Sequence, residues 1–374
     1  MNKSVLFLLA ILVFPFNSWC QTFKEFEESA QANYKKGDLE AAIIEYSKAL
    51  LFFPKNPIAY YNRGVYKLEY YEFESAINDF KKSIILDFPE PVYPLRNIGT
   101  SFSELGNLDS ALFYYGKSLE IDPKFYSVLK DKGLIYYKLE RFDQAIENFD
   151  QALLIEPTYS PALSGRGQVY QDLGDLSKAE KDYSSAISVD KTSYDSFNNR
   201  GNIRKEKGDI EGAISDYEKA KDINPEYYLT YFNLGVLYND LKEFEKAIGY
   251  FSKSIDLNPY DEASYLNRGV ARAQSPRKDY MGSVLDFSKA IELNPDKALH
   301  HNNRGFTRMN LGDFELALED FNKAISLEPD YGMAYKNRAR AKIQLKRVAE
   351  GCDDFKIALN FGEKVSEKEL NICN

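Results

Sequence analysis

Asparagine and arginine recur in this chain at spacings from which specific chemistry can be built. Asn62, Asn97, Asn199, Asn233, Asn267, Asn303 and Asn337 follow one another at steps of 34 to 36 residues, with three such steps between Asn97 and Asn199. A side-chain amide both donates and accepts hydrogen bonds, so a row of amides can hold polypeptide main chain without regard to its side chains. Asn is roughly half a kcal/mol worse than Ala inside a helix, so the recurrence asks for a reason. Main-chain capture is one; bonds between neighbouring repeats, or to water, are the other. Arginine and aspartate form a second series. Arg63 precedes Asp79 by 16 residues, as do Arg166 and Asp182, Arg200 and Asp216, Arg304 and Asp320, and Arg338 and Asp354; Arg268 precedes Asp286 by 18. A guanidinium fork facing a carboxylate makes a charge-assisted pair. Such pairs read as architecture joining two helices rather than as reaction chemistry.

Signals of catalysis are missing. The two histidines, His300 and His301, are adjacent, so on a helix they point about 100° apart and do not converge on one metal. Gly165-Arg166-Gly167 belongs to the repeat register and follows no strand, as a phosphate loop requires. Carboxylates are plentiful, but at spacings that leave them on solvated helix faces. No cofactor, metal or small-molecule substrate is expected. A formal charge of −9 and a pI near 5.1 argue against nucleic acid as partner. With 44% hydrophobic and 28% charged residues the chain is globular rather than disordered.

The elements that position these residues are clearest from Ala298 to Tyr331. One amphipathic pattern runs from about Leu299 to Leu311, Gly312-Asp313 breaks it, a second runs from Phe314 to Leu327, and Pro329 stops it. Gly305 and Ala317 are small where two helices must approach. Phe321, Ala324 and Ile325 share one helical face. Such a helix-turn-helix cannot bury its apolar face alone and needs stacked neighbours. Pro54, Pro89, Pro123, Pro157, Pro225, Pro259, Pro295 and Pro329 keep the same register. They divide the chain into repeats 23–56, 57–91, 92–125, 126–159, 160–193, 194–227, 228–261, 262–297, 298–331 and 332–361. The eighth carries two extra residues around Ser275-Pro276-Arg277.

This pattern resembles the tetratricopeptide repeat family. Counting positions from the start of each repeat, position 8 is Gly64, Gly99, Gly133, Gly167, Gly201, Gly235, Gly269 and Gly305, with Ala30 and Ala339 at the ends. Position 20 is small throughout, from Ala42 to Gly351. Position 24 is aromatic throughout, from Tyr46 to Phe355. In half the repeats position 11 departs from the family's aromatic and holds Lys67, Arg204, Arg272, Arg308 and Lys342, whose stems can cover apolar surface. The resemblance implies an all-α, right-handed superhelical solenoid of about ten helix pairs. It also implies that position 6, the asparagine position, looks into a concave groove. A similar ladder in the repeat domain of O-GlcNAc transferase holds an extended peptide; the transferase domain itself has no counterpart here.

Both ends depart from the period. Lys3 followed by twelve apolar residues from Val5 to Phe16 matches a secretory signal over 1–20, cleaved before Gln21, and is too short to span a bilayer. Lipidation at Cys20 is the rival, disfavoured by Trp19 and Asn17. After the array, 21–361, a cap at 362–374 opens on Ser366 and Glu369, a capping-box pattern, and Val365, Leu370 and Ile372 are placed to cover the last repeat. Cys352 occupies a position that faces the next element, where Cys373 lies. A disulfide between them, permitted in an oxidising compartment, is weighed against two free thiols.

The expectation is an exported bacterial protein, periplasmic, surface-attached or secreted, with no transmembrane segment after the leader. It is a non-enzymatic scaffold that binds an extended peptide or protein segment, chiefly over the unbroken run Asn199, Asn233, Asn267, Asn303 and Asn337, with Asn62 and Asn97 in a broken N-terminal set. A passive element of an envelope assembly is the alternative, and an enzyme with an unrecognised groove site a more distant one. Oligomeric state is left open.

Overall fold

The computed structural model of the protein describes residues 22–373, and every element among them is a helix. The leader, Cys20 and the cleavage point before Gln21 lie outside the described residues. The chain forms two compact units, divided between Leu173 and Gly174, inside the fifth repeat.

The first unit holds α1 (Phe23–Lys35), α2 (Leu39–Phe52), α3 (Pro57–Glu69), α4 (Phe73–Ile85), α5 (Val92–Glu104), α6 (Leu108–Ile121), α7 (Tyr126–Lys138), α8 (Phe142–Ile155) and α9 (Ser160–Asp172). The second holds α10 (Leu176–Val189), α11 (Tyr194–Glu206), α12 (Ile210–Ile223), α13 (Tyr228–Asp240), α14 (Phe244–Leu257), α15 (Glu262–Gln274), α16 (Tyr280–Leu293), α17 (Ala298–Leu311), α18 (Phe314–Leu327), α19 (Gly332–Gln344), α20 (Val348–Asn360) and the short α21 (Glu367–Leu370). Within each unit consecutive helices pack together, and odd-numbered helices also meet, as α17 meets α19. This is the helix-pair solenoid expected from the period.

The turn inside each pair follows from local chemistry. Position 15 is left-handed in every repeat. Glycine serves at Gly37, Gly106, Gly174, Gly208 and Gly312, and Tyr71, Glu140, Lys242, Lys278 and Lys346 bear the strain in the others. An acidic or amide side chain then often caps the second helix: Asp38, Asn107, Asp175, Asp209 and Asp279 each accept a backbone N–H of its first turn. The two extra residues of the eighth repeat sit in this turn, so helix length and packing are unchanged.

Position 24 supplies the core. Tyr46, Phe80, Phe149, Tyr217, Phe251, Phe321 and their counterparts are buried. Position 8 is glycine because the ring leaves no room: a Cβ on Gly235 would lie 2.6 Å from Phe251 Cδ1. Ser366 and Glu369 form the expected capping box at α21, which buries no side chain of its own.

Candidate binding surface

The arginine series builds a ladder. In the ninth repeat Arg304 Nη2 donates to Asp320 Oδ1 at 2.7 Å and Nε to both carboxylate oxygens at 3.1 Å. Asp320 is 2% exposed. The same fork joins Arg63 to Asp79, Arg200 to Asp216, Arg268 to Asp286 and Arg338 to Asp354. Arg166 and Asp182 fall in different units; within its own unit Arg166 pairs with Asp150.

Two further features of the ladder went unread in the sequence. The cations at position 11 do more than cover apolar surface: each adds a second positive group to the same aspartate. Lys67 reaches Asp79 at 2.8 Å, Arg204 reaches Asp216 at 2.9 Å, Arg272 reaches Asp286 at 3.0 Å, Arg308 reaches Asp320 at 2.9 Å and Lys342 reaches Asp354 at 2.7 Å. The signal was available, since these cations occur only in repeats that carry the arginine–aspartate pair. Each arginine also reaches back to position 25 of the preceding repeat: Arg63 to Ser47, Arg200 to Ser184, Arg268 to Ser252, Arg304 to Ser288 and Arg338 to Asn322.

The asparagines are not equivalent. In the first unit Asn62 donates to the Tyr46 hydroxyl at 3.0 Å and Asn97 to the Tyr61 hydroxyl at 3.5 Å. In the second, Asn233 donates to Asn198 Oδ1 at 3.0 Å, and Asn199 accepts from Asn198. Asn267 donates to the Ala263 carbonyl of its own helix. Asn337 is 3% exposed, donates to Asn302 Oδ1 at 3.0 Å and accepts from Arg340. It stands behind the surface and joins repeats, so the run of five is not five equal amides on an open face. Asn198 and Asn302, at position 5, are the partners that sequence reading missed. The side-chain amide of Asn303 has no hydrogen-bond partner among the described residues and lines a cavity.

That cavity, about 390 Å³, opens between α15, α16 and α17, with Val270, Ala273 and Phe306 on its apolar walls and Asn303 and Asn310 supplying amides. Phe306 is exposed there, whereas Phe232 on α13 packs against Phe251 of the core. A larger cavity of about 890 Å³ lies beyond Asn310, walled by Met309, Phe314, Arg340 and Ile343 on one side and Val365 and Ile372 on the other. The C-terminal segment therefore arches over the last repeat without filling the space beneath. Glu369 anchors it to Arg340 at 2.6 Å; partial burial pushes its carboxyl up, but hydrogen bonds from Arg340 and Ser366 outweigh this and hold it at about 2. Cys352 and Cys373 are joined by a disulfide.

His300 and His301 are buried and point apart, His300 toward Glu262 and His301 toward the Pro295 carbonyl. Burial lowers the pKa of His301. Among the described residues no group of three or more His, Cys, Asp or Glu is placed to hold a metal ion, and no helix is long and apolar enough to cross a membrane.

The TPR repeat pattern matches residues 30–68 and 201–242, and tetratricopeptide repeat patterns match 97–125, 126–159, 160–193, 228–261 and 298–331, together more than half the chain. The chain belongs to the tetratricopeptide repeat family. Its repeats make it a protein–protein interaction scaffold, of a family whose members bind peptides or proteins. Among solved structures it is similar to Pseudomonas aeruginosa PilF, with 20% identity and a TM-score of 0.53 over 57% of this chain and 97% of that one. A tetratricopeptide repeat protein from Parabacteroides merdae matches at 20% identity and a TM-score of 0.46, over 76% of this chain and 98% of that one. YrrB, described as a TPR protein with an unusual peptide-binding site, matches at 23% identity and 0.44, over 50% of this chain and 96% of that one. These likenesses concern the fold. No curated protein matches the sequence.

Proposed function

We propose that the second unit holds an extended segment of another protein across its odd-numbered helices, centred on Asn303 and Phe306. The observation that carries this reading is the pairing of an unengaged amide with an exposed aromatic at one apolar cavity. Asn303 takes a main-chain amide of the partner, and the cavity takes one side chain. Neighbouring helix pairs repeat about every 10 Å, and an extended chain advances about 3.3 Å per residue, so contacts recur at every third residue of the partner. Asn267 and Asn233 keep their carbonyl oxygens for the same use. The protein performs no chemistry on what it binds. Its leader pattern and the Cys352–Cys373 bond favour work outside the cytoplasm. A mature N-terminus at Gln21 by mass spectrometry checks that part.

Selection from a displayed library of random dodecapeptides tests the surface. The wild-type protein enriches a related set of sequences, and Phe306→Asp and Asn303→Ala abolish or weaken that enrichment with helicity unchanged. Enrichment that survives both changes, or no enrichment at all, removes this reading and leaves a passive assembly element.

A further inference from the structure

Residues 362–373 lie against α19 in a telling register. Arg340, Ile343 and Gln344 occupy positions 9, 12 and 13 of the last repeat and line the larger cavity. Their counterparts Val270, Ala273 and Gln274 on α15 line the open cavity at Asn303. The face left open on α15 is thus roofed on α19 by the chain itself. The roof presents an acid to Arg340, through Glu369 at 2.6 Å, and aliphatic groups, Val365 and Ile372, to the cavity.

We propose that residues 362–373 are a disulfide-held strap over the last repeat's share of the binding face. Opening the Cys352–Cys373 bond uncovers that share for a partner segment carrying an acidic residue beside aliphatic ones. The proposal rests on the reading that this face binds extended chain. The strap stands in for the partner, and its own chemistry states what the uncovered face takes.

What holds the strap is mostly covalent. Helix α21 buries no side chain, and about 890 Å³ stays open beneath the segment. Its side-chain ties to α19 are the Glu369–Arg340 pair and a longer Glu363–Lys336 contact at 3.6 Å, and only its first two residues bond their backbone to α20. A dithiol reductant supplies two electrons and two protons. The S–S bond breaks, Cys352 and Cys373 become thiols, and the reductant closes its own disulfide. Cys373, the less buried of the two, is the sulfur open to attack. A segment tethered this way competes at roughly millimolar effective concentration, so only a strap that has left the face gives way to a partner in trans.

The test uses the full chain and a fluorescein-labelled synthetic peptide of residues 362–373 carrying Cys373→Ser. The proteins are oxidised wild type and the double variant Cys373→Ser, Glu369→Arg, in which the strap is untethered and repelled by Arg340. The expected result is peptide binding to the variant at least about tenfold tighter than to the oxidised wild type, and loss of about tenfold when the peptide carries Glu369→Lys. In parallel, amide exchange over 364–373 of the wild type speeds up about tenfold on reduction by dithiothreitol, with α19 unchanged. Equal binding to both proteins, no binding to the variant, or exchange unaffected by reduction would overturn the inference. Library selection that depends on Phe306 while the strap peptide fails to bind removes this inference alone and leaves the open face standing.

Discussion

Replacing Asp320 by Ala separates the ladder's geometry from mere charge counting. Asp320 is buried and accepts from two guanidinium groups, Arg304 and Arg308, each with only 18% of its side chain exposed. Its loss leaves two largely buried cations facing each other with no counter-charge. Breaking a buried pair from one side costs about 3–5 kcal/mol. Arg304→Leu is milder, since Arg308 still neutralises the carboxylate; it removes the fork and the link to Ser288, for about 1–3 kcal/mol. Arg308→Leu leaves the fork intact and costs about 1 kcal/mol. The expected order is Asp320→Ala, then Arg304→Leu, then Arg308→Leu. Repeat arrays need not unfold in one step, so urea denaturation by circular dichroism is paired with amide exchange resolved over α17 and α18. If Asp320→Ala proves no worse than Arg308→Leu, or the Arg304–Asp320 double-mutant cycle is additive, the ladder does not hold the helices together as argued.

Asn337→Ala should cost about 1–2 kcal/mol, because it strands Asn302 in the interior, whereas Asn267→Ala should be neutral or slightly stabilising; denaturation midpoints distinguish them. Gly235→Ala drives a methyl into the Phe251 ring and should destabilise by about 1–3 kcal/mol, while Gly249→Ala, with nothing within 4 Å, should stabilise by up to about 1 kcal/mol. Burial holds the pKa of His301 below its ordinary value of 6.5. The unfolded imidazole therefore binds its proton at higher pH than the folded one, and stability falls as the pH drops below about 6.5 until the folded group also titrates. Melting of His301→Gln between pH 7 and 5 should show a shallower fall than wild type. The chain-entropy value for the loop closed by Cys352 and Cys373 is roughly 3 kcal/mol. Reduction should cost about half of that or less, because the strap is also freed in the folded protein; a loss near the full value in urea titration would contradict a loosely held strap.

The fold was legible because its three strongest constraints repeat: glycine at position 8, an aromatic at 24 and a stop near 32 locate two helices and their contact. The second cations were read only in part, for a physical reason. A lysine or arginine on an apolar register is satisfied either by extending its stem to water or by finding a buried carboxylate, and spacing alone does not say which. The asparagine series was legible as a series but not as a surface. Whether an amide faces outward depends on its neighbour, and Asn198 and Asn302 take up the amides of Asn233 and Asn337 while Asn303 is left without such a partner. Nothing in the period announces the division between Leu173 and Gly174, since it falls in the same turn between two helices that the other repeats also carry. The open space beneath the strap was hidden too. Val365 and Ile372 announce an apolar cover, but not that it stands clear of the surface it covers.

The backward reach of each arginine has a consequence for how such a chain changes length. Each lock at Arg63, Arg200, Arg268, Arg304 and Arg338 takes one half from the second helix of the preceding repeat, 16 residues earlier, and the other from its own. Excision of residues 298–331 would place Ser288 16 residues before Arg338, the offset it now keeps from Arg304. The new junction closes with no repair, because either neighbour presents the same hydroxyl or amide to the same guanidinium. Gain or loss of whole periods by unequal recombination therefore leaves no seam, while a single residue inserted between Ser288 and Arg304 breaks a lock. The eighth repeat shows where the reading frame of the solenoid has slack: its two extra residues fall after Arg268, inside the helix pair, and leave the Ser252–Arg268 interval at 16.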